Sequence, residues 1–495
     1  MVLQMTRLRF TLILACVACV QLGESCADWP QFRGTNSAGV GNGQPPIEFG
    51  PSENVRWVVD MDPGHSSPCV VANSIYVTTF DAKKTTLTVI SLDKNTGQTR
   101  WRRKLKPKRL EKGHPSFNPA SSSVACDGKH VVAYFGSYGL VCYTIDGELL
   151  WEFKLPITRS YAGNATSPTI IGNRVILYRG NHVDHFLLAV DVSTGKELWR
   201  VVQEEPFIGE LACTACPISI DNTLIAHTAR SVQAFDITTG NQLWVTKCAT
   251  TATSTPVIVG DEVIVAAWNK MGEPALRPEL PSFDSMVAAH DKDKDGTLSR
   301  DEFPKMFIFH RPDGAEAPQN GAPVSFKNVD QDKDGEITQT EWSKTRKGLE
   351  HFRSRYETHG ILAIPIASEG LIDQDKVRTL ETQGIPEVPS PIAYDGMLYF
   401  VKNGGVLTSL DLETGDRLSR IRTGGTGTHY ASPIRAGDKL FTTAGNGAIS
   451  VLQLGEQPKV LAVNEMNDNT YATPAIVDGV LYVRTHTKLY AFASE

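Results

Sequence analysis

Long apolar stretches are missing from this chain: nothing in its 495 residues approaches the ~20 consecutive apolar residues that a membrane span needs. The expectation is a protein with no membrane span. A positive charge excess is missing as well, since the formal net charge is −6, and this argues against nucleic acid as a partner. The one basic run, Arg102, Arg103, Lys104, Lys106, Lys108, Arg109 and Lys112, follows Trp101 and reads as a solvated connection. Paired cysteine motifs are scarce. Cys213-Thr-Ala-Cys216 has the spacing of a redox or metal motif but lacks a second pair and a following helix, so it reads as small buried residues at a strand start. No local signature singles out a serine nucleophile with its histidine and acid.

What the chain does have begins with Arg7 and Arg9, an apolar run from Phe10 to Val20, and Ser25-Cys26-Ala27, small residues where a signal peptidase cuts. Residues 1–27 therefore read as a removed leader, and the protein as exported, periplasmic or extracellular. A lipoprotein anchor at Cys16, after Ile13-Leu14-Ala15, is the alternative. Without the leader the balance is 47 basic against 54 acidic side chains, a net −7, and six cysteines remain. Disulfides are permitted in an exported chain, but a core of this size does not demand them.

One phrase recurs along the chain. Its fullest form is Ala189-Val190-Asp191-Val192-Ser193-Thr194-Gly195, ending at Trp199. Close copies run from Ile90 to Trp101 and from Ala234 to Trp244, a shortened copy ends at Trp151, and a decayed one at Leu410–Gly415 has Ser419 in place of the tryptophan. A period of roughly 40 to 50 residues signals a repeat architecture. Each unit opens with Ser/Thr-Pro or a variant of it: Ser67, Ser122-Ser123, Ser167, Cys216, Thr255, Ser390, Ser432 and Thr473 mark eight starts. A first hairpin with Gly, Asp or Asn follows each start, at residues that tolerate the positive φ of tight turns. Four short strands per unit make a propeller blade. The last unit stops at Phe492 without its fourth strand, while Val55–Val59 supplies such a strand with no unit before it, so joining the two closes the ring. The expected fold is all-β: an eight-bladed propeller of four-stranded blades. Residues 28–268 form an N-terminal arm, lying across the surface, and the blades up to the first half of blade five; residues 359–495 complete the ring.

The phrase resembles the PQQ-like, quinoprotein-type β-propeller repeat, from about Trp57 to Phe492 apart from one insertion, and Asp28-Trp-Pro-Gln-Phe-Arg-Gly34 is similar to the start of secreted bacterial members. The resemblance implies that Trp57, Trp101, Trp151, Trp199 and Trp244 form a girdle between blades. It also raises PQQ, held in the funnel with calcium, as a cofactor. In the alcohol dehydrogenases of that family adjacent cysteines form a ring over the cofactor; this chain has no Cys-Cys pair, and Trp268 is the one tryptophan left to stack on a cofactor.

The insertion, residues 269–358, interrupts blade five and carries the clearest chemistry. Asp291, Asp293, Asp295, Thr297, Ser299 and Glu302 stand at positions 1, 3, 5, 7, 9 and 12 of one EF-hand loop, and Asp330, Asp332, Asp334, Glu336, Thr338 and Glu341 at those of a second. Carboxylates at 1, 3 and 5, a bidentate one at 12, the position-7 carbonyl and position 9 surround a hard cation, and the glycine at position 6 makes the turn. Two full matches 39 residues apart favour a small helical EF-hand pair with two Ca²⁺ sites over solvated acidic turns. Leu298 and Ile337 are expected to pair between the loops, and Val287, Phe303, Phe326 and Trp342 to pack the flanking helices.

Because strands alternate in direction, the insertion belongs on the face where the blades are connected. Those connections offer His65, His114, Asn118, Tyr161, Asn164, His429, Tyr430 and Asn469 around the funnel mouth. Their histidines lack ligand spacing for a transition metal, and His182-Val-Asp184-His185 lies at a hairpin tip, where such residues are ordinary. Outer-membrane assembly scaffolds share the repeat. The functional expectation is an exported calcium-binding module for a protein or small-molecule ligand, with no catalytic residue to name; the alternative is a PQQ- and Ca²⁺-dependent alcohol or sugar dehydrogenase.

Overall fold

Each copy of the repeat folds into one antiparallel sheet. In the computed structural model, which describes residues 28–205, 207, 212–248, 251–269, 271–310, 321–354 and 358–494, the third sheet is typical: Thr169–Ile171, Arg174–Gly180, His185–Asp191 and Glu197–Val202 pair in chain order. Its two middle strands are almost wholly buried, and the outermost is half exposed. That is why Val175-Ile176-Leu177-Tyr178 is continuously apolar: neighbouring blades cover both faces. Eight such sheets form the ring. The eighth takes its outer strand from Val55–Asp60, which pairs antiparallel with Lys488–Phe492, so the ends of the chain close the ring as expected. The hairpin residues adopt positive φ where the turns require it, as at Ala72, Gly128, Asp221 and Gly260.

Tryptophan and glycine of the phrase interlock between blades. The Trp151 indole donates to Val192 O at 2.8 Å, and a Cβ on Gly195, whose φ is +70°, would lie 2.6 Å from the same ring. Trp57 meets Gly97, Trp101 meets Gly147 and Trp199 meets Gly240 in the same way. Asp191 Oδ1 accepts from the Ser193 and Thr194 amides and the Thr194 hydroxyl, which shapes the turn that presents the glycine. Where blade five lacks the tryptophan, Leu380 of its outer strand packs against Gly415 instead. Arg102, Arg103 and Lys104 belong to the outer strand Thr99–Leu105 of blade one, not to a connection.

The unit starts form a second ring. Ser67 N donates to Ser123 Oγ, Ser123 N to Ser167 Oγ, Cys216 N to Thr255 Oγ1, Thr255 N to Ser390 Oγ, Ser390 N to Ser432 Oγ, Ser432 N to Thr473 Oγ1, and Thr473 N back to Ser67 Oγ. After Ser167 the next unit start is Cys216, so a thiol stands where the other blades present a hydroxyl. At seven of the eight junctions one blade thus holds the next by satisfying an inner-strand amide that would otherwise be buried unpaired.

The N-terminal arm departs from expectation. It runs inside the central channel and not across the surface; Trp29, Arg33 and Ser37 are all buried. Trp29 bridges to Val70 of blade one, Cys126 N of blade two donates to Pro30 O, Asn36 exchanges two hydrogen bonds with Ser219 of blade four, and Arg33 Nη2 donates to Pro391 O of blade six. Val40–Gly41 then pairs parallel with the inner strand Ile434–Ala436 of blade seven, and Asn42 bonds to Asp478 of blade eight. Innermost strands leave free N–H and C=O edges along the bore, and the arm occupies them.

Candidate functional site

The channel is blocked by the arm at the hairpin end and open at the other, where it widens into a cavity of about 600 Å³. Its floor includes Phe32 of the arm together with Ser67, Ser123, Ser167, Cys216, Ser390, Ser432 and Thr473 of the hydroxyl ring. Above these stand His65, His114, Phe117, Tyr161, Tyr430 and Tyr471. The His65 ring meets Tyr471 edge-on at 4.9 Å, Tyr471 lies 5.6 Å from Tyr430, and His114 lies 5.7 Å from Tyr161. Tyr161 is 60% exposed and marks the rim. Burial, helped by the charge of Arg484, pushes the His65 imidazolium down to about 3, so this ring is neutral at physiological pH.

Of the residues expected at the mouth, His65, His114, Tyr161 and Tyr430 line the cavity. Asn164 does not; its amide donates to Ser122 Oγ. His429 turns inward, with its amide on Asn403 and Nδ1 against Gly427 O, and burial lowers its pKa. Asn118 accepts from Ala120 N within its own turn. Nor does His182-Val-Asp184-His185 gather a metal: Asp184 pairs with Arg179 at 2.5 Å and His185 Nε2 with the Tyr178 hydroxyl at 2.8 Å. Sequence reasoning missed Phe32, Tyr471 and Glu387, and it read the unit-start hydroxyls as blade markers although they also form the floor. Their recurrence at seven of the eight unit starts, Cys216 being the exception, was the available signal.

A PQQ molecule carries three carboxylates and needs cations and a metal ligand set beside it. Among the described residues lining the cavity there is no Lys or Arg, and Glu387 is the one carboxylate. Trp268 is buried in the core between blades five and six, not in the funnel wall. These residues do not fit that cofactor.

The insertion leaves blade five between the paired strands Glu262–Ala267 and Gly360–Pro365, on the face where the funnel opens. No described residue of it lines the cavity. It has its own core of Leu280, Phe283, Met286, Leu298, Val329, Ile337 and Trp342, with Phe303 and Phe326 packed edge-on. Leu298–Ser299 pairs antiparallel with Glu336–Ile337, joining the loops as expected. Helices Phe283–His290 and Gln339–Ser354 flank the pair on its outer sides; Phe326–Val329 is one turn, and Pro304 stops any helix after the first loop.

Both loops are drawn around converging carboxylates. One ligand atom from each of Asp291, Asp293 and Glu302 lies within 4.8 Å of the others, and the same holds for Asp330, Asp332 and Asp334. Glu302 accepts from Lys292 N and Ser299 N at 2.8 and 2.9 Å; Glu341 accepts from Gln331 N and Thr338 N at the same distances. The Ser299 hydroxyl and these amides hold Glu302 down at about 2, so it stays ionised. Asp295 N also lowers Asp293, but desolvation and the neighbouring Asp295, Glu302 and Asp291 charges outweigh it and leave Asp293 raised. Gly296 and Gly335, at φ +85° and +94°, make the turns. Such a site favours a hard divalent cation and is compatible with Ca²⁺.

Two family models match the chain. One, described as outer membrane protein assembly factor BamB, matches residues 85–278, and the other, EF hand, matches residues 289–307 and 324–344. No curated protein matches. Among solved structures, BamB from Moraxella catarrhalis is 11% identical with a TM-score of 0.50, covering 89% of this chain and 98% of that one. Quinohemoprotein alcohol dehydrogenase from Comamonas testosteroni is 12% identical with a TM-score of 0.55, covering 95% and 81%. The computationally designed Ika8 protein is 12% identical with a TM-score of 0.51, covering 88% and 98%. At these identities the likeness is one of fold, and an assembly factor and an enzyme share it. Among the described residues no helix is long and apolar enough to cross a membrane.

Proposed function

We propose that this propeller of PQQ-like repeats, with an EF-hand pair set into its fifth blade, is an exported calcium-binding module that takes a protein or small-molecule ligand at its funnel face. The observation that carries the reading is the character of the funnel: aromatic walls, a floor of hydroxyls, and no cluster of catalytic or metal-ligating groups among its described lining residues. Such a cavity suits recognition better than redox chemistry. Calcium has a separate role. It binds in two sites, through Asp291, Asp293, Asp295, Thr297, Ser299 and Glu302, and through Asp330, Asp332, Asp334, Glu336, Thr338 and Glu341. The affinity belongs to the weak extracytoplasmic class, on the order of 10⁻⁴ to 10⁻³ M.

The rival reading, a PQQ-dependent alcohol or sugar dehydrogenase, draws on the structural likeness to quinohemoprotein alcohol dehydrogenase. It requires calcium beside the cofactor, whereas both acidic clusters belong to an insertion none of whose described residues lines the cavity. Purified protein supplied with PQQ and Ca²⁺ and assayed for dye reduction across an alcohol and sugar panel separates the two. No turnover is expected; sustained turnover would replace this reading with the dehydrogenase.

A further inference from the structure

Beneath the funnel floor and behind its wall lie two buried guanidinium groups, Arg33 and Arg484, with no carboxylate paired to either among the described residues. Arg33 is fully buried in the arm; Nη2 donates to Pro391 O, and Nε and Nη1 have no partner. Arg484 is buried behind His65, with its donors directed to Ser66 Oγ and to the carbonyls of Thr78 and Asp62. Burial brings both down to about 9, which leaves them charged at neutral pH. Their fields reach the lining: Arg33 lowers the Cys216 thiol against the larger rise from burial, and Arg484 lowers His65. A buried uncompensated cation is costly and calls for a counter-charge.

The floor above Arg33 has the matching polarity. Ser67, Ser123, Ser390, Ser432 and Thr473 each spend an oxygen lone pair on the neighbouring blade's amide, which leaves their O–H groups as donors. Pro391, whose carbonyl holds Arg33, directly follows Ser390. These donors thus lie over the charge of Arg33, while the one carboxylate among the described lining residues, Glu387, stands three residues before Ser390 in the chain.

We propose that the funnel floor is an anion site, which takes the carboxylate or other oxyanion group of a ligand against the Ser390 and Ser432 hydroxyls, with the charge of Arg33 beneath. The proposal rests on the funnel being the ligand site and names the chemical class of that ligand's inner end. One anionic group is accommodated there; a polyanion is not, because the walls above offer no further cation among the described residues.

The test is calorimetric titration of the full chain in calcium with sulfate, with acetate, and with glucose as a neutral comparator. Saturable binding of sulfate or acetate is expected. It should weaken about tenfold, the equivalent of about 1.4 kcal/mol, in Arg33→Met and several-fold in Ser390→Ala, and stay unchanged in the surface control Arg102→Gln. Equal loss in that control assigns binding to the outer surface and overturns the proposal. So does absence of anion binding to folded wild type, which is informative even if Arg33→Met fails to fold. Glucose binding without anion binding sinks the anion site yet leaves the funnel as a ligand site; failure of all three probes removes support from both.

Discussion

Asp191, Gly195 and Trp199 show at residue scale how a repeated phrase becomes an interface. The carboxylate shapes the turn and the glycine supplies a left-handed φ with no side chain; the indole from the preceding blade then covers it. Gly195→Ala meets both penalties at once, positive φ and a 2.6 Å contact with Trp151, and is expected to cost about 1–3 kcal/mol in urea unfolding. At the loops, Glu302→Gln and Glu341→Gln should each remove one of two Ca²⁺ equivalents in calorimetry, because position 12 supplies the bidentate ligand. Glu111 gives a pH prediction. Burial raises its carboxyl to about 7 even though the Thr158 and Ser137 hydroxyls donate to it. The folded chain therefore holds this proton more tightly than the unfolded one, a contribution fully present below the ordinary glutamate value of 4.5 and lost as pH rises through about 7. Denaturation midpoints of Glu111→Gln should fall less steeply over that window than those of the parent. The girdle was legible because it repeats; Arg33 was not, since its carbonyl partner is 358 residues away.

Among elements, the insertion and the arm behave oppositely. The insertion brings its own hydrophobic core and returns to the strand partner it left, Ala267 facing Gly360. Chelation is accordingly expected to open residues 269–358 to protease while the blades resist, as read by limited proteolysis with mass mapping; simultaneous cleavage throughout the blades would contradict that independence. The arm has no core of its own and takes its partners from six blades. Deleting residues 28–44 should lower the melting temperature by at least about 5 °C in calorimetry. The EF loops were readable position by position because a cation dictates their spacing. The arm's path was not, because Gly, Asn and Pro describe an irregular segment equally well on a surface or in a bore, and only the free inner-strand edges decide between them.

Across the whole molecule, blade number and ring closure could be read from two punctuation series, the unit starts and the first hairpins, because every blade must bury both faces and turn tightly at its inner end. The funnel's chemistry could not. The unit-start hydroxyls of its floor do recur, but Phe32, Tyr471 and Glu387 come from separate segments, none of which contains enough of the funnel to make a pattern.

Closure by Val55–Asp60 against Lys488–Phe492 also sets an order of events in biogenesis. The outer edge of the last blade precedes all the other blades in the chain, so Val55–Asp60 has no strand partner until Lys488–Phe492 has been synthesised, and the arm, which can meet blades one and two early, is fully bonded only once blade eight is present. Contacts of this sequence separation fold slowly. Ring closure is thus the last step of folding, and the other blades must stand with an open edge on either side of the gap until the final strand arrives.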